Sequence, residues 1–176
     1  MIIGLVGKKF SGKDTCAGHL IVHYHFKKLT FAQALKDVCQ YLFLLSDQQL
    51  HDHAWKEKKI DQWGLTPREI MQKVGTDLFR NHFDKDFWLK QFQIRFDQMQ
   101  KDGPQRIVCS DCRYQNEVDL IKKLGGVIIR IDRDLINDDD EHESEKLNIQ
   151  HIDYTICNNG SLESLYAQID AILAHT

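Results

Sequence analysis

Ile2-Ile3-Gly4-Leu5-Val6 runs directly into Gly7-Lys8-Lys9-Phe10-Ser11-Gly12-Lys13-Asp14-Thr15. The apolar five read as a buried strand, the glycine-bounded stretch as a loop, and Cys16-Ala17-Gly18-His19-Leu20-Ile21 as the body of a helix. Gly7 and Gly12 have the spacing of GxxxxGK[ST], in which the backbone turns so that successive N–H groups point at one anion. Lys13 follows Gly12 as that pattern requires, so the segment reads as a phosphate cradle. Asp14 stands where Ser or Thr is expected, and the hydroxyl arrives one residue later at Thr15. A carboxylate beside phosphates is repelled unless a cation intervenes, which points Asp14 toward magnesium; its alternative role is to stabilise the helix N-terminus.

Outward from this loop, strand-like and helix-like segments alternate, as expected of an α/β chain with a parallel sheet and helices on both faces. Five strands are expected, at Ile2–Val6, Leu29–Phe31, Arg106–Ser110, Val127–Ile131 and Tyr154–Cys157. Thr66-Pro67-Arg68-Glu69 joins an N-cap, a proline at the first helical position and a capping-box glutamate, and predicts a helix to about Arg80. Leu89, Phe92, Phe96 and Met99 mark the buried stripe of the next helix, and Val118, Ile121 and Leu124 that of another, stopped by Gly125-Gly126. Ser161 caps a last helix with Leu162, Leu165, Ile169 and Ile172 on one face. Residues 133–151, with Asp138-Asp139-Asp140-Glu141, read as a mobile, solvated lid segment.

The 176 residues suit one domain, and the net charge of -3 argues against a general nucleic-acid surface, so anionic ligands must be met locally. Five scattered cysteines and an opening apolar run too short for a signal peptide or membrane span favour a reduced cytosolic setting. Cys109 and Cys112 have CxxC spacing but no second pair at ligand spacing, so neither metal nor redox use is expected of them. The histidines of His23-Tyr24-His25 and His51-Asp52-His53 read as surface or helix-end residues.

Ligands of open α/β sheets gather at the carboxyl ends of the strands. The residues there are Gly7 to Thr15, Ala32 to Lys36, Asp111 to Arg113, Asp132-Arg133 and Asn158-Asn159. Lys13 reaches the β- and γ-phosphates, Thr15 touches a phosphate, and Asp111 is either a second acidic group on the metal or an N-cap. An acceptor that is itself a phosphate needs several cations against charge repulsion; Lys9, Arg68, Arg80, Arg113 and Arg133 are the candidates. Phe31, Phe87 and Trp88 offer flat surfaces to a base, or else belong to the core.

The loop Gly7–Thr15, Phe31-Ala32-Gln33-Ala34-Leu35-Lys36 and Arg68–Asp77, with its Gly75-Thr76 pair, resemble viral and bacteriophage deoxynucleoside monophosphate kinases. Ser110–Glu117 resembles that family's Asp-x-Arg-(Phe/Tyr)-x-Asn-Glu segment, His142–Glu145 its His-x-(Ser/Thr)-Glu segment, and Asn158–Leu162 its closing turn, all in the same order. The GKDT variant alone is also similar to that of animal-type phosphomevalonate kinases. The resemblance implies a P-loop kinase fold and transfer of the ATP γ-phosphoryl group to a deoxynucleoside 5′-monophosphate. It implies ATP on Gly7, Ser11, Gly12, Lys13, Asp14, Thr15 and Asn159, and magnesium on Asp14, Thr15 and Asp111. The monophosphate falls to Lys9, Phe31, Leu35, Lys36, Arg68, Thr76, Arg80, Trp88, Arg113, Asn116, Glu117 and Glu143. Residues 33–104 then include the acceptor-binding helices, and Lys13, Asp14, Asp111, Arg113 and Arg133 form the catalytic set. Two departures stand out: Phe10 fills a loop position that is often basic, and the lid is acidic, with Arg130 and Arg133 near its base. Expected partners are small-molecule nucleotides, with a homodimer admitted and neither nucleic acid nor membrane expected. The alternatives are a phosphomevalonate or dephospho-coenzyme A kinase of the same fold, and a nucleotide-binding switch without turnover. Cations placed for a second phosphate speak against the switch.

Overall fold

The computed structural model describes residues 1–101, 103–134 and 149–175. β1 (Ile2–Val6) leads to α1 (Lys13–Tyr24) and β2 (Lys27–Lys28); α2 (Ala32–Phe43), α3 (Asp47–His51), α4 (His53–Lys56) and α5 (Pro67–Gln72) follow. A π-helix (Lys73–Phe83) continues α5, then come α6 (Phe87–Lys101), β3 (Ile107–Cys109), α7 (Gln115–Lys123), β4 (Val127–Asp132), β5 (Tyr154–Cys157) and α8 (Leu162–Ala174).

The five strands form one sheet in the order β2-β3-β1-β4-β5, every neighbouring pair parallel. β1 lies at its centre, with Ile3 paired to Val108 on one side and to Val127 on the other. All five of its residues are buried, which is why it reads as a continuous apolar run. The chain builds β2 and β3 on one side of β1, then β4 and β5 on the other, so the carboxyl end of β1 is the switch point where α/β sheets gather ligands.

The chain divides into two compact units, Met1–Thr30 with Arg95–Thr176, and Phe31–Ile94. In the first, Leu5, Leu20, Ile129, Ile131, Ile156, Leu165 and Ile169 share one apolar core; each fully buried aliphatic side chain contributes on the order of 2 kcal/mol. Ser161 caps α8 as expected, its Oγ accepting from the Ser164 N–H. Leu162, expected on the buried stripe, is half exposed: periodicity identifies a face, not how far along the helix packing extends.

In the second unit Cys39, Leu45, Leu50, Ile70 and Val74 form the core. Thr66 Oγ1 accepts from the Glu69 N–H while Glu69 Oε2 accepts from the Thr66 N–H, the expected capping box. The helix predicted to run from there to Arg80 changes character instead at Lys73, where the wider π turn takes over. Nothing in a 3.6-residue period announces an i→i+5 pattern. In α6 the deeply buried residues are Trp88 and Phe92, while Leu89, Phe96 and Met99 of the expected stripe are only half-buried.

The strand expected at Leu29–Phe31 is displaced to Lys27–Lys28. Leu29 still donates its N–H to the Val108 carbonyl, but Phe31 already sits in helical conformation ahead of α2. An edge strand with exposed lysines carries no apolar signal. Of the lid expected at 133–151, residues 135–148 lie outside the described residues. Among the described residues no helix is long and apolar enough to cross a membrane.

Candidate active site

The loop between β1 and α1 has the backbone of an anion cradle. Gly7 (φ 152°) and Gly12 (φ 109°) adopt conformations that side-chain-bearing residues avoid, and the space is closed to a Cβ at both. One on Gly7 would lie 2.4 Å from the Ile131 carbonyl oxygen, and one on Gly12 2.5 Å from Asn158 Nδ2. The Ser11 hydroxyl is buried within the loop without a hydrogen-bond partner among the described residues, as suits a group that meets a ligand oxygen. Asn158, just past β5, donates its side-chain amide to the Ser11 carbonyl at 2.8 Å and its backbone N–H to the Asp132 carbonyl at 2.7 Å, tying the loop to the ends of β4 and β5.

Lys13 folds its ammonium back into the loop, donating to the Gly7 carbonyl at 2.6 Å and to the Lys8 carbonyl. Burial, and then the positive charge of Arg113, lowers its pKa to about 8 against the opposing pull of Asp14 and Asp111. The carboxylate of Asp14 accepts at Oδ1 from Lys28 Nζ (3.0 Å) and from Ser110 Oγ (2.9 Å). Desolvation raises its pKa, but the hydrogen bond and charge of Lys28, with Ser110 and Lys13, outweigh this and hold it below the ordinary carboxylate value. Thr15 is exposed in the first turn of α1.

β3 delivers the second part of the site. Asp111 Oδ1 accepts from Cys109 Sγ at 3.2 Å. Asp111 does not cap the next helix: Tyr114 is the N-cap residue of α7, and the carboxylate of Glu117 closes the turn. Glu117, 3 % exposed, accepts at Oε2 from the backbone N–H groups of Arg113 (2.8 Å) and Tyr114 (3.1 Å), so here its carboxylate positions Arg113. Asn116 is half-buried in the same first turn of α7. Cys109 and Cys112 are both buried with sulfurs 3.7 Å apart, and burial pushes the Cys109 thiol well above its usual range. Lys9 sets its ammonium 5.3 Å from the Phe10 ring, and Arg133 donates to the Phe10 carbonyl at 3.4 Å. Asn159 binds Asp134 through both ends of its amide, holding the chain after β4.

The remaining expected residues that the structure describes lie in the second unit. Phe31 is buried and stacked on Phe92 with ring centroids 4.2 Å apart, and Trp88 is buried with its indole N–H donated to the Gly75 carbonyl. Both rings are packed among core side chains. Leu35 lies against Gly75, where a Cβ would meet its Cδ2 at 2.7 Å, and Thr76 is half-buried in the π-helix. Lys36 is within 3.2 Å of His51 Nδ1, and Arg68 donates Nε to Glu57 Oε1 at 2.6 Å. Arg80 is half-buried near the end of the π-helix. Glu143 lies outside the described residues.

Within the first unit the fold thus groups Lys13, Asp14, Asp111 and Arg113 with Asn158, already expected at a strand end, and with Lys28 and Ser110, to which the sequence reading assigned no role. Ser110 and Asn158 sit one residue past β3 and β5, and position at a strand end was the signal for them; Lys28 carried none. No group of three or more His, Cys, Asp or Glu among the described residues forms a metal cage. Magnesium in phosphoryl transfer takes one or two carboxylates and otherwise phosphates and water, so Asp14 beside an anion cradle fits it.

Residues 40–169 match the family model of deoxynucleotide monophosphate kinase. The chain is 42% identical over 181 aligned residues to a putative deoxynucleotide monophosphate kinase of Acanthamoeba polyphaga mimivirus, covering 96% of this chain and 94% of that protein. It is 34% identical over 110 residues to the deoxynucleotide monophosphate kinase of Enterobacteria phage T4, covering 62% of this chain and 45% of the phage protein. In fold it is similar to the crystal structure of a sugar kinase from Janibacter sp. HTCC2649, with a TM-score of 0.54 at 13% identity, covering 98% of this chain and 94% of the other.

Proposed function

The chain belongs to the deoxynucleotide monophosphate kinase family, and we propose that it transfers the γ-phosphoryl group of magnesium-bound ATP to the phosphate of a deoxynucleoside 5′-monophosphate, yielding the diphosphate. The observation that carries this reading is the Lys13 ammonium held inside a two-glycine loop at the carboxyl end of the central strand, next to an anchored carboxylate on Asp14. Backbone N–H groups of Gly7 to Lys13, the Ser11 hydroxyl and Lys13 bind the donor phosphates, with Thr15 at the helix start and Asn159 toward the nucleoside. Asp14 holds the cation, with Asp111 and Thr15 nearby. Magnesium, when bound, supplies positive charge against the phosphates.

Arg113 and Lys9 in the first unit, and Lys36, Arg68 and Arg80 in the second, are the acceptor's cations in this proposal. Leu35, Thr76 and Asn116 shape its surroundings; Phe31, Trp88 and Glu117 act by packing and positioning. The acceptor is a phosphate monoester with a second pKa near ~6, so its attacking oxygen is already ionised at neutral pH. No general base is needed, and catalysis rests on alignment and charge cancellation.

The test is ADP release from magnesium-ATP with dTMP, dGMP, dCMP, dAMP and the matching ribonucleotides. Turnover with at least one deoxynucleotide, lost in Lys13→Ala, supports the proposal and gives the base preference. ATP binding without turnover on any of them overturns it.

A further inference from the structure

Asp14 is where this loop departs from the usual GK[ST] pattern, and its partners depart with it. In ordinary phosphate loops the hydroxyl sits on the loop and the carboxylate at the end of a neighbouring strand. Here the carboxylate is on α1 and a hydroxyl is at the strand end. Ser110, one residue past β3, donates Oγ to Asp14 Oδ1 at 2.9 Å across 96 positions of sequence. Lys28, the last residue of β2, places Nζ 3.0 Å from the same oxygen. Both donors converge on Oδ1, and Oδ2 accepts no hydrogen bond from the described residues.

We propose that Ser110 is the positioning residue of the metal carboxylate: it pins Oδ1 and thereby turns Oδ2 toward the cation. The two anchors differ in stiffness. Ser110 has one side-chain torsion to its oxygen and is 5 % exposed, so its hydroxyl has a fixed direction. The Lys28 and Asp14 side chains are 47% and 80% exposed, and a pair so solvated compensates charge more than it sets geometry. Magnesium demands near-ideal octahedral geometry, so a carboxylate free to rotate is a poorer ligand than one held by a buried hydroxyl. Partners of a metal-ligating group ordinarily account for ten- to a hundredfold in metal affinity.

The inference rests on the proposal that Asp14 meets the cation, and one experiment separates the two. Mn²⁺ affinity for the protein–ADP complex is measured by the loss of the free-ion EPR signal, and ADP affinity is measured separately without metal. Wild type is compared with Asp14→Asn, Ser110→Ala, Ser110→Cys and Lys28→Met. Ser110→Ala is expected to weaken Mn²⁺ binding about tenfold while leaving metal-free ADP affinity unchanged. Lys28→Met is expected to change Mn²⁺ binding by less than about threefold. Ser110→Cys, with similar volume and a weaker donor, falls between wild type and the alanine variant; it carries the test if Ser110→Ala does not fold. If Asp14→Asn weakens Mn²⁺ binding and the Ser110 variants do not, the positioning role is wrong and the Asp14 reading stands. If Asp14→Asn leaves Mn²⁺ binding unchanged, the Asp14 reading itself fails. Equal loss of metal-free ADP and Mn²⁺ binding in the Ser110 variants would reduce Ser110 to a structural residue and overturn the inference.

Discussion

The Asn158 side-chain amide donates to the Ser11 carbonyl at 2.8 Å, so a residue at the end of β5 holds the middle of a loop 147 positions away in sequence. The same amide nitrogen closes the space beside Gly12. Loop shape is therefore shared between a glycine and its external support. Asn158→Ala is expected to raise the KM for ATP about fivefold, as loss of roughly 1 kcal/mol of hydrogen bonding would, with little change for the acceptor. Gly12→Ala, which adds the strain of a positive φ to the clash with Asn158, is expected to be worse. Steady-state kinetics with each substrate varied in turn check this; equal loss on both substrates would refute it.

Lys13 supplies a pH signature. With its pKa lowered to about 8, half of the protein carries a neutral Lys13 at that pH, and donor phosphates restore the proton. ATP binding at pH 8 is then expected to take up about half a proton, and almost none at pH 6.5. Isothermal titration in buffers of different ionisation enthalpy measures it. Lys13→Arg, which stays charged, should remove the uptake, and ATP affinity of the wild type should fall as pH rises through 8. The stability sign is opposite to that of a stabilised lysine: the cost of burying the ammonium is present below about pH 8 and is relieved as pH rises toward 10.5.

How much of this was legible beforehand depended on whether the signal was local. The β1 strand, the cradle and the start of α5 were readable because each is set by neighbours within a few residues: an apolar run, two glycines and a lysine, a Thr-Pro-x-Glu box. The Ser110–Asp14 and Asn158–Ser11 contacts were not, because only the parallel order β2-β3-β1-β4-β5 brings those strand ends together. β2 was expected two residues too late, at Leu29–Phe31, because its own two lysines are exposed and carry no apolar signal. The π-helix escaped because its hydrogen-bond period leaves no mark in residue type. Glu117 was legible as the last residue of the Asp-x-Arg-(Phe/Tyr)-x-Asn-Glu segment but not as the buried acceptor that holds the Arg113 backbone.

Phe10 stores strain at the tip of the loop. It has φ 64° and is largely exposed, a conformation costly for a bulky side chain and not repaid by burial. Phe10→Gly is expected to raise stability by up to about 1 kcal/mol in denaturant unfolding, less what glycine adds to the entropy of the unfolded chain. A destabilised variant would show that the ring's contact with Lys9 matters more than the backbone.

Arg113 and Glu117 make a coupled pair of predictions. Arg113→Ala is expected to raise the KM for the deoxynucleotide at least tenfold while the KM for ATP moves less than threefold, the split expected of a charge-assisted grip on the acceptor phosphate. Glu117→Gln should give the same split in weaker form together with a loss of about 2 kcal/mol in stability, because two backbone N–H groups lose a buried anionic acceptor. Unchanged stability, or an effect on ATP alone, would contradict the positioning role.

Arg68 raises the same question in the second unit. Glu57 takes its Nε at 2.6 Å, and no hydrogen bond joins its two terminal nitrogens to the described residues. A guanidinium held by one edge presents the other in a fixed plane, the geometry for gripping a phosphate with two parallel hydrogen bonds. Arg68→Ala should therefore raise the acceptor KM, and Arg68→Lys should not restore it, since an ammonium has no such fork. Glu57→Gln keeps the charge on Arg68 but weakens its anchor; a rise of about threefold in acceptor KM with ATP unaffected is the expected result. If Arg68→Lys restores wild-type kinetics, Arg68 contributes only charge, and Glu57 has no part in aiming it.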